Sequence, residues 1–124
     1  MDTPPPPASI ADLDQLRDRL RRFSQERDWD QFHSPKNLAM ALIAEAAELV
    51  EHFQWLTEAQ SADLPAESRS KVADELADVL VYLVRIADRL DIDLLEATAR
   101  KLADNEAKYP AAKVRGSPKK YTDY

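Results

Sequence analysis

The sequence predicts an all-α protein, and three observations carry that prediction. A single glycine in 124 residues leaves few tight turns for a many-stranded sheet. Apolar residues recur at three- and four-residue spacing through long stretches, the period of a helix with one buried face. Residues that start helices stand where those stretches begin: Ser34-Pro35 before one, Asp93 before another. Hydrophobic residues make up 44% and charged residues 32%, which suits one helical domain with a modest core and argues against disorder.

The first eight residues are Pro-rich and are expected to be disordered. A helical domain is expected over 9–110 and a basic tail over 111–124. The first helix is predicted over 10–27, capped by Ser9 or Asp12, with Ile10, Leu13, Leu16, Leu20 and Phe23 as its apolar stripe. Arg17, Arg19, Arg21, Arg22 and Arg27 lie off that stripe. They read first as a solvated face, and second as cations of which one or two could meet phosphate. The polar segment DWDQFHS over 28–34 holds a Trp, a Phe and a His.

The second helix is predicted from Pro35 through Trp55. At about 100° per residue, Leu38, Leu42, Ala46, Leu49, Val50, Phe53 and Leu56 share one arc. Glu45 and Glu48 stand together on its edge, and Trp55, seven residues beyond Glu48, is expected on the same side. Residues 57–66 read as a polar loop. A third helix follows over 67–90, with Val72, Leu76, Val79, Leu83, Ile86 and Leu90 as its arc, Glu75 and Asp78 on the edge and Tyr82 one turn on. Val81 and Val84 fall outside that arc, so this helix is apolar on more than one side, which implies a subunit interface. A fourth helix is predicted from Asp93 to Lys108 and is stopped by Pro110.

The acids carry the chemistry. Glu45/Glu48 and Glu75/Asp78 are each an i,i+3 pair on one helix face. Two such helices side by side would bring four carboxylates to the rim of an apolar core, where they repel unless a cation is present. Oxygen-only ligation suits Mg²⁺ or Mn²⁺. A di-iron carboxylate bundle would want Glu-x-x-His, but Glu51 and Val81 stand three residues past Glu48 and Asp78. His52, one turn past Glu48, reads as a polar neighbour. No Walker-type or dinucleotide-binding glycine loop is present, so any triphosphate must be held by metal and side chains. The absence of cysteine excludes a disulfide framework and a thiolate site. No apolar run approaches the ~18 residues of a membrane span. The start MDTPPPP lacks a signal pattern, so a cytoplasmic protein with no membrane partner is expected. The net charge of −6 argues against binding a nucleic acid polymer.

E-x-x-E, a spacer and E-x-x-D on helical sequence resemble the MazG-like nucleoside triphosphate pyrophosphatases. The finer match, to the dCTP pyrophosphatase branch, is carried by FSQERDWDQFH over 23–33, PKNL over 35–38, Glu45 to the FQW at 53–55, ELADVLVYL over 75–83, KLADNEAKYP over 101–110 and KKYT over 119–122. The resemblance implies a four-helix MazG-like bundle assembled as a homotetramer, a dimer of dimers. It implies hydrolysis of a deoxynucleoside triphosphate between its α and β phosphates, in nucleotide-pool clean-up. Glu45, Glu48, Glu75 and Asp78 would bind Mg²⁺ and form the catalytic set, with Glu48 also orienting the attacking water. Trp29, Phe32, His33, Trp55 and Tyr82 would surround base and deoxyribose, and Lys101, Asn105, Lys108 and Tyr109 would approach the phosphates. The basic tail would fold over a site. The chain departs from relatives at Ala46-Ala47, where a glycine is frequent, and at His52, where an apolar residue is usual. Two alternatives stay open: dUTP or another non-canonical dNTP as substrate, and a non-enzymatic helical oligomerisation or regulatory module.

Overall fold

A computed structural model describes residues 3–5, 7–119 and 121–123. Every regular element among them is helical. They form α1 (Leu13–Glu26), a 3₁₀ turn (Asp30–Phe32), α2 (Pro35–Glu51), α3 (Glu58–Ala62), α4 (Ala66–Arg89), α5 (Leu94–Lys108), α6 (Ala111–Val114) and a last 3₁₀ turn (Tyr121–Asp123). The chain divides into two compact units, Met1–Asp91 and Ile92–Tyr124.

Local chemistry sets the helix starts. Asp12, not Ser9, caps α1: its carboxylate accepts the Gln15 N–H at 2.8 Å, so the helix begins three residues later than predicted and leaves Ile10 outside it. Ser34 accepts the Asn37 N–H at 3.1 Å, with Pro35 opening α2. Asp93 accepts the Glu96 N–H at 3.0 Å and starts α5. Both the α1 and the α4 exits pass through an aspartate at φ 55°, Asp28 and Asp91, a left-handed conformation that Asp tolerates better than most residues.

Two further boundaries differ from the sequence expectation. Helix α2 ends at Glu51 and gives way to turns over 52–56, because the chain must enter α3. There Thr57 and Gln60 form a reciprocal capping box inside the segment expected to be loop.

In the first unit α4 packs against both α2 and α1. Leu38 of α2, at 1% exposure, is the centre of a small core completed by Leu16, Val72, Val84 and Ala87. The buried side of α4 is only partly the predicted one: Val72 is buried and Val79 and Ile86 are half-buried, as the arc requires. Val84 lies inside, while Leu76, Leu80, Leu83 and Leu90 are exposed. Both sides of α4 are apolar, so periodicity alone does not say which one the chain covers itself; α1 and α2 select the Val72–Val84–Ala87 side. The arc of α2 is closer to expectation, although Val50 and Leu56 are exposed.

The second unit carries α5, whose C-cap Tyr109 donates its N–H to the Asn105 carbonyl at 2.8 Å. The tail forms the single turn α6, after which Gly116 takes φ 79°.

Candidate active site

Side-by-side packing of α2 and α4 brings the acids together. One carboxylate oxygen each from Glu45, Glu48 and Glu75 lies within 4.8 Å of the others. Glu45 and Glu75 are half-buried and Glu48 is exposed, so the cluster sits where the core meets solvent. Asp78 is exposed one turn beyond Glu75 and stands outside this group, although its charge reaches Glu45.

Two oxygens test whether a cation fits. Glu45 Oε2 and Glu75 Oε2 are buried with no hydrogen-bond partner among the described residues. A buried carboxylate oxygen without a partner is costly, and beside two further carboxylates no anion or neutral acceptor can satisfy it. A divalent cation or a shared proton can. In the cation-free protein the proton is the remedy. Burial pushes Glu45 up to about 7, helped by the hydrogen bonds it can share with Glu48 and Glu75 when protonated and by the charges of Glu48 and Asp78. A hard cation suits the all-oxygen set.

That shift has a measurable consequence. A cation must displace the Glu45 proton, so binding strengthens as pH rises through about 7. At a hundredfold excess over its Kd, a divalent cation that fits this cluster is expected to stabilise the fold by about 2.7 kcal/mol, roughly 10 °C in Tm for a domain of this size. Thermal melts should show a smaller shift at about pH 6 than at about pH 8, because Glu45 then holds its proton.

Tyr82 lies beside the cluster: burial raises its hydroxyl pKa first, then the charges of Glu45 and Asp78. His52 caps the end of α2 with its Nε2 3.9 Å from Glu75 Oε1. It is therefore a neighbour across the helix pair, a contact that its spacing from Glu48 did not reveal.

The predicted aromatic residues divide. Trp29 meets Phe23 edge-on at 5.6 Å and His33 at 6.2 Å between centroids. Phe32 is exposed, and its carbonyl accepts from the Asn37 amide at 3.0 Å, which ties the 3₁₀ turn to the start of α2. Trp55 does not share a helix face with Glu48. Because α2 stops at Glu51, Trp55 stands on a turn and is 87% exposed. Lys101, Asn105 and Lys108 recur at i, i+4 and i+7 along one face of α5 in the second unit, with Tyr109 at its C-cap.

Four of the five arginines over 17–27 have partners within the protein, and Arg19 donates to the Ala8 carbonyl at 3.1 Å. Arg21 donates from Nε and Nη2 to both oxygens of Asp88, Arg17 pairs with Asp14 and Asp18, and Arg27 lies 3.7 Å over the Phe23 ring. Arg85 and Asp88 were missed by sequence reasoning. Their signal was present: a lone i,i+3 ion pair inside the apolar run VLVYLVRIADRL.

The MazG-like family model matches residues 41–124, which include all four acids. The chain belongs to the MazG-like family. Over 113 residues it is 42% identical to dCTP pyrophosphatase 1 of Mus musculus and to that of Homo sapiens, covering 90% of this chain. The chain spans 66% of the length of those relatives. The crystal structure of a pyrophosphatase from Archaeoglobus fulgidus superposes with a TM-score of 0.76 at 37% identity, covering 86% of this chain and 99% of that one.

Proposed function

We propose that this MazG-like protein is a Mg²⁺-dependent nucleotide pyrophosphatase that hydrolyses dCTP and modified deoxycytidine triphosphates to the monophosphate and pyrophosphate. One observation carries the reading: the Glu45–Glu48–Glu75 cluster with two orphaned buried oxygens, in a chain 42% identical to dCTP pyrophosphatase 1. Mg²⁺, or Mn²⁺ in its place, would offset the triphosphate charge and polarise the α-phosphorus. Glu45, Glu48 and Glu75 would supply the oxygens that hold it, and Asp78, which stands outside that group, would join them on the strength of the family resemblance. Glu48, the exposed member of the cluster, orients a water for in-line attack and accepts its proton as the α–β bond breaks and pyrophosphate leaves.

Trp29, Phe32, Trp55 and Tyr82 offer rings to base and sugar, a contact with little chemical code; a hydrogen bond from His33 adds selectivity. The assignment of Lys101, Asn105, Lys108 and Tyr109 to the phosphates rests on the family resemblance. A panel of dCTP, 5-substituted dCTP, dUTP, dTTP, dATP and dGTP tests the reading through pyrophosphate release. The deoxycytidine nucleotides should show the highest kcat/KM. A dUTP preference would reassign the substrate, and no turnover by folded protein would overturn the enzyme.

A homotetramer is part of this proposal. Leu76, Leu80 and Leu83 form an exposed apolar stripe on α4, and Met40, Ile43, Ala47 and Val50 form another on α2. Light scattering should give four times the 14.1 kDa chain mass. Leu80→Glu should dissociate the assembly, since a carboxylate in an apolar interface is strongly penalised. A variant that keeps the wild-type mass would exclude this stripe from the interface.

A further inference from the structure

The first unit contains a buried polar network that the acid cluster does not use. Arg85 on α4 is only 4% exposed. Its Nη2 donates to Asp30 Oδ1 at 2.8 Å, its Nη1 lies 3.5 Å from Asp88 Oδ2, and its Nε donates to His33 Nδ1 at 3.4 Å. Asp88 is held in turn by two guanidinium nitrogens of Arg21, Nε and Nη2, and Arg21 first, by its hydrogen bonds, keeps Asp88 below the usual carboxylate range. Two cations therefore meet two anions, and the buried charge is compensated. Ser24 of α1, 2% exposed, places its hydroxyl 3.4 Å from the same His33 Nδ1.

The chemistry of the donors fixes what the ring must be. An arginine Nε–H can only donate, so the atom that receives it must carry a lone pair. His33 Nδ1 is therefore unprotonated, and the proton of the neutral ring sits on Nε2. Nε2 makes no hydrogen bond among the described residues, and the side chain is half-buried. The charged groups around the ring are Arg85 and Arg89 on α4 and Asp30 on its own turn. Burial first, then the two arginines, hold the imidazole pKa below its ordinary value, against a smaller opposite effect of Asp30.

We propose that Arg85 is a positioning residue: it ties the 29–33 turn to α4 through Asp30 and fixes His33 as the Nε2–H tautomer. His33 thereby faces a ligand as a hydrogen-bond donor, and the group it selects is an acceptor such as a ring carbonyl or a sugar oxygen. The reading of His33 as a substrate contact rests on the proposed function; the tautomer does not.

The chain has two histidines, so long-range ¹H–¹⁵N spectra of the ring nitrogens are readily assigned with a His33→Gln variant. The wild-type protein at neutral pH should show His33 with Nε2 protonated and Nδ1 bare. In Arg85→Gln both tautomers should be populated, and the His33 titration should move to higher pH because a neighbouring cation is gone. A protonated Nδ1 in the wild type overturns the proposal, as does a His33 tautomer and titration unchanged in Arg85→Gln. The wild-type spectrum decides even if that variant fails to fold. With dCTP, Arg85→Gln should raise KM about tenfold and change kcat by about twofold or less. An unchanged KM would remove the link to substrate, whereas no turnover by the wild type would remove the enzyme reading and leave the tautomer test standing.

Discussion

Glu48→Gln is expected to reduce kcat by about a thousandfold or more while leaving the fold intact. The side chain is exposed on α2, and glutamine matches glutamate in size and helix propensity, so neither packing nor helix is disturbed. The change removes one anionic ligand oxygen and the base that orients water, together worth on the order of 4 kcal/mol in the transition state. Circular dichroism and Tm without cation should match the wild type or exceed it slightly, since one like charge beside Glu45 is gone. Retained turnover would take the water-orienting role from Glu48.

Glu45→Gln should act in two directions at once. In the wild type without cation, the folded state holds the Glu45 proton up to about pH 7, whereas an unfolded glutamate loses it near its ordinary value. The folded state thus binds more protons across the interval, and stability falls as pH rises from about 4.5 through about 7. Glutamine stays neutral and removes that decline, so the variant should melt higher than the wild type at about pH 8 when chelator is present. It should also lose most of the Mg²⁺-induced rise in Tm, because the cluster has lost a ligand. A residue that lowers stability in the free protein yet is needed for the bound one is the signature of a site built for a cation. Equal melting of both proteins in chelator, with the Mg²⁺ shift preserved, would show that Glu45 is an ordinary rim carboxylate.

The sequence made the helices legible where the signals are local. Asp12, Ser34 and Asp93 announce helix starts through their own side chains, and angular placement puts Glu45, Glu48 and Glu75 on the facing edges of α2 and α4, where they meet, while Asp78 stands outside their group. What stayed hidden depends on tertiary choice. Helix α2 stops at Glu51 with no glycine or proline to announce it, and that stop moves Trp55 off the Glu48 side. The two apolar sides of α4 cannot be ranked by period, since the packing of α1 and α2 decides which is buried. Arg85 looks like a surface residue by type, and only the positions of Asp30, Asp88 and His33 reveal why its charge is tolerated inside. The Arg21–Asp88 bond likewise joins residues 67 apart, which no local pattern encodes.

On the proposed function, the acid cluster grips a cation for cleavage between the α and β phosphates. Quantifying dCMP, pyrophosphate and inorganic phosphate from dCTP with Mg²⁺, after chelation, and after Mg²⁺ is restored tests it most directly. The expected result is equimolar dCMP and pyrophosphate, abolished by chelator and recovered with the metal. Undiminished turnover in chelator, release of inorganic phosphate with dCDP, or no product from protein with a native helical spectrum would contradict it.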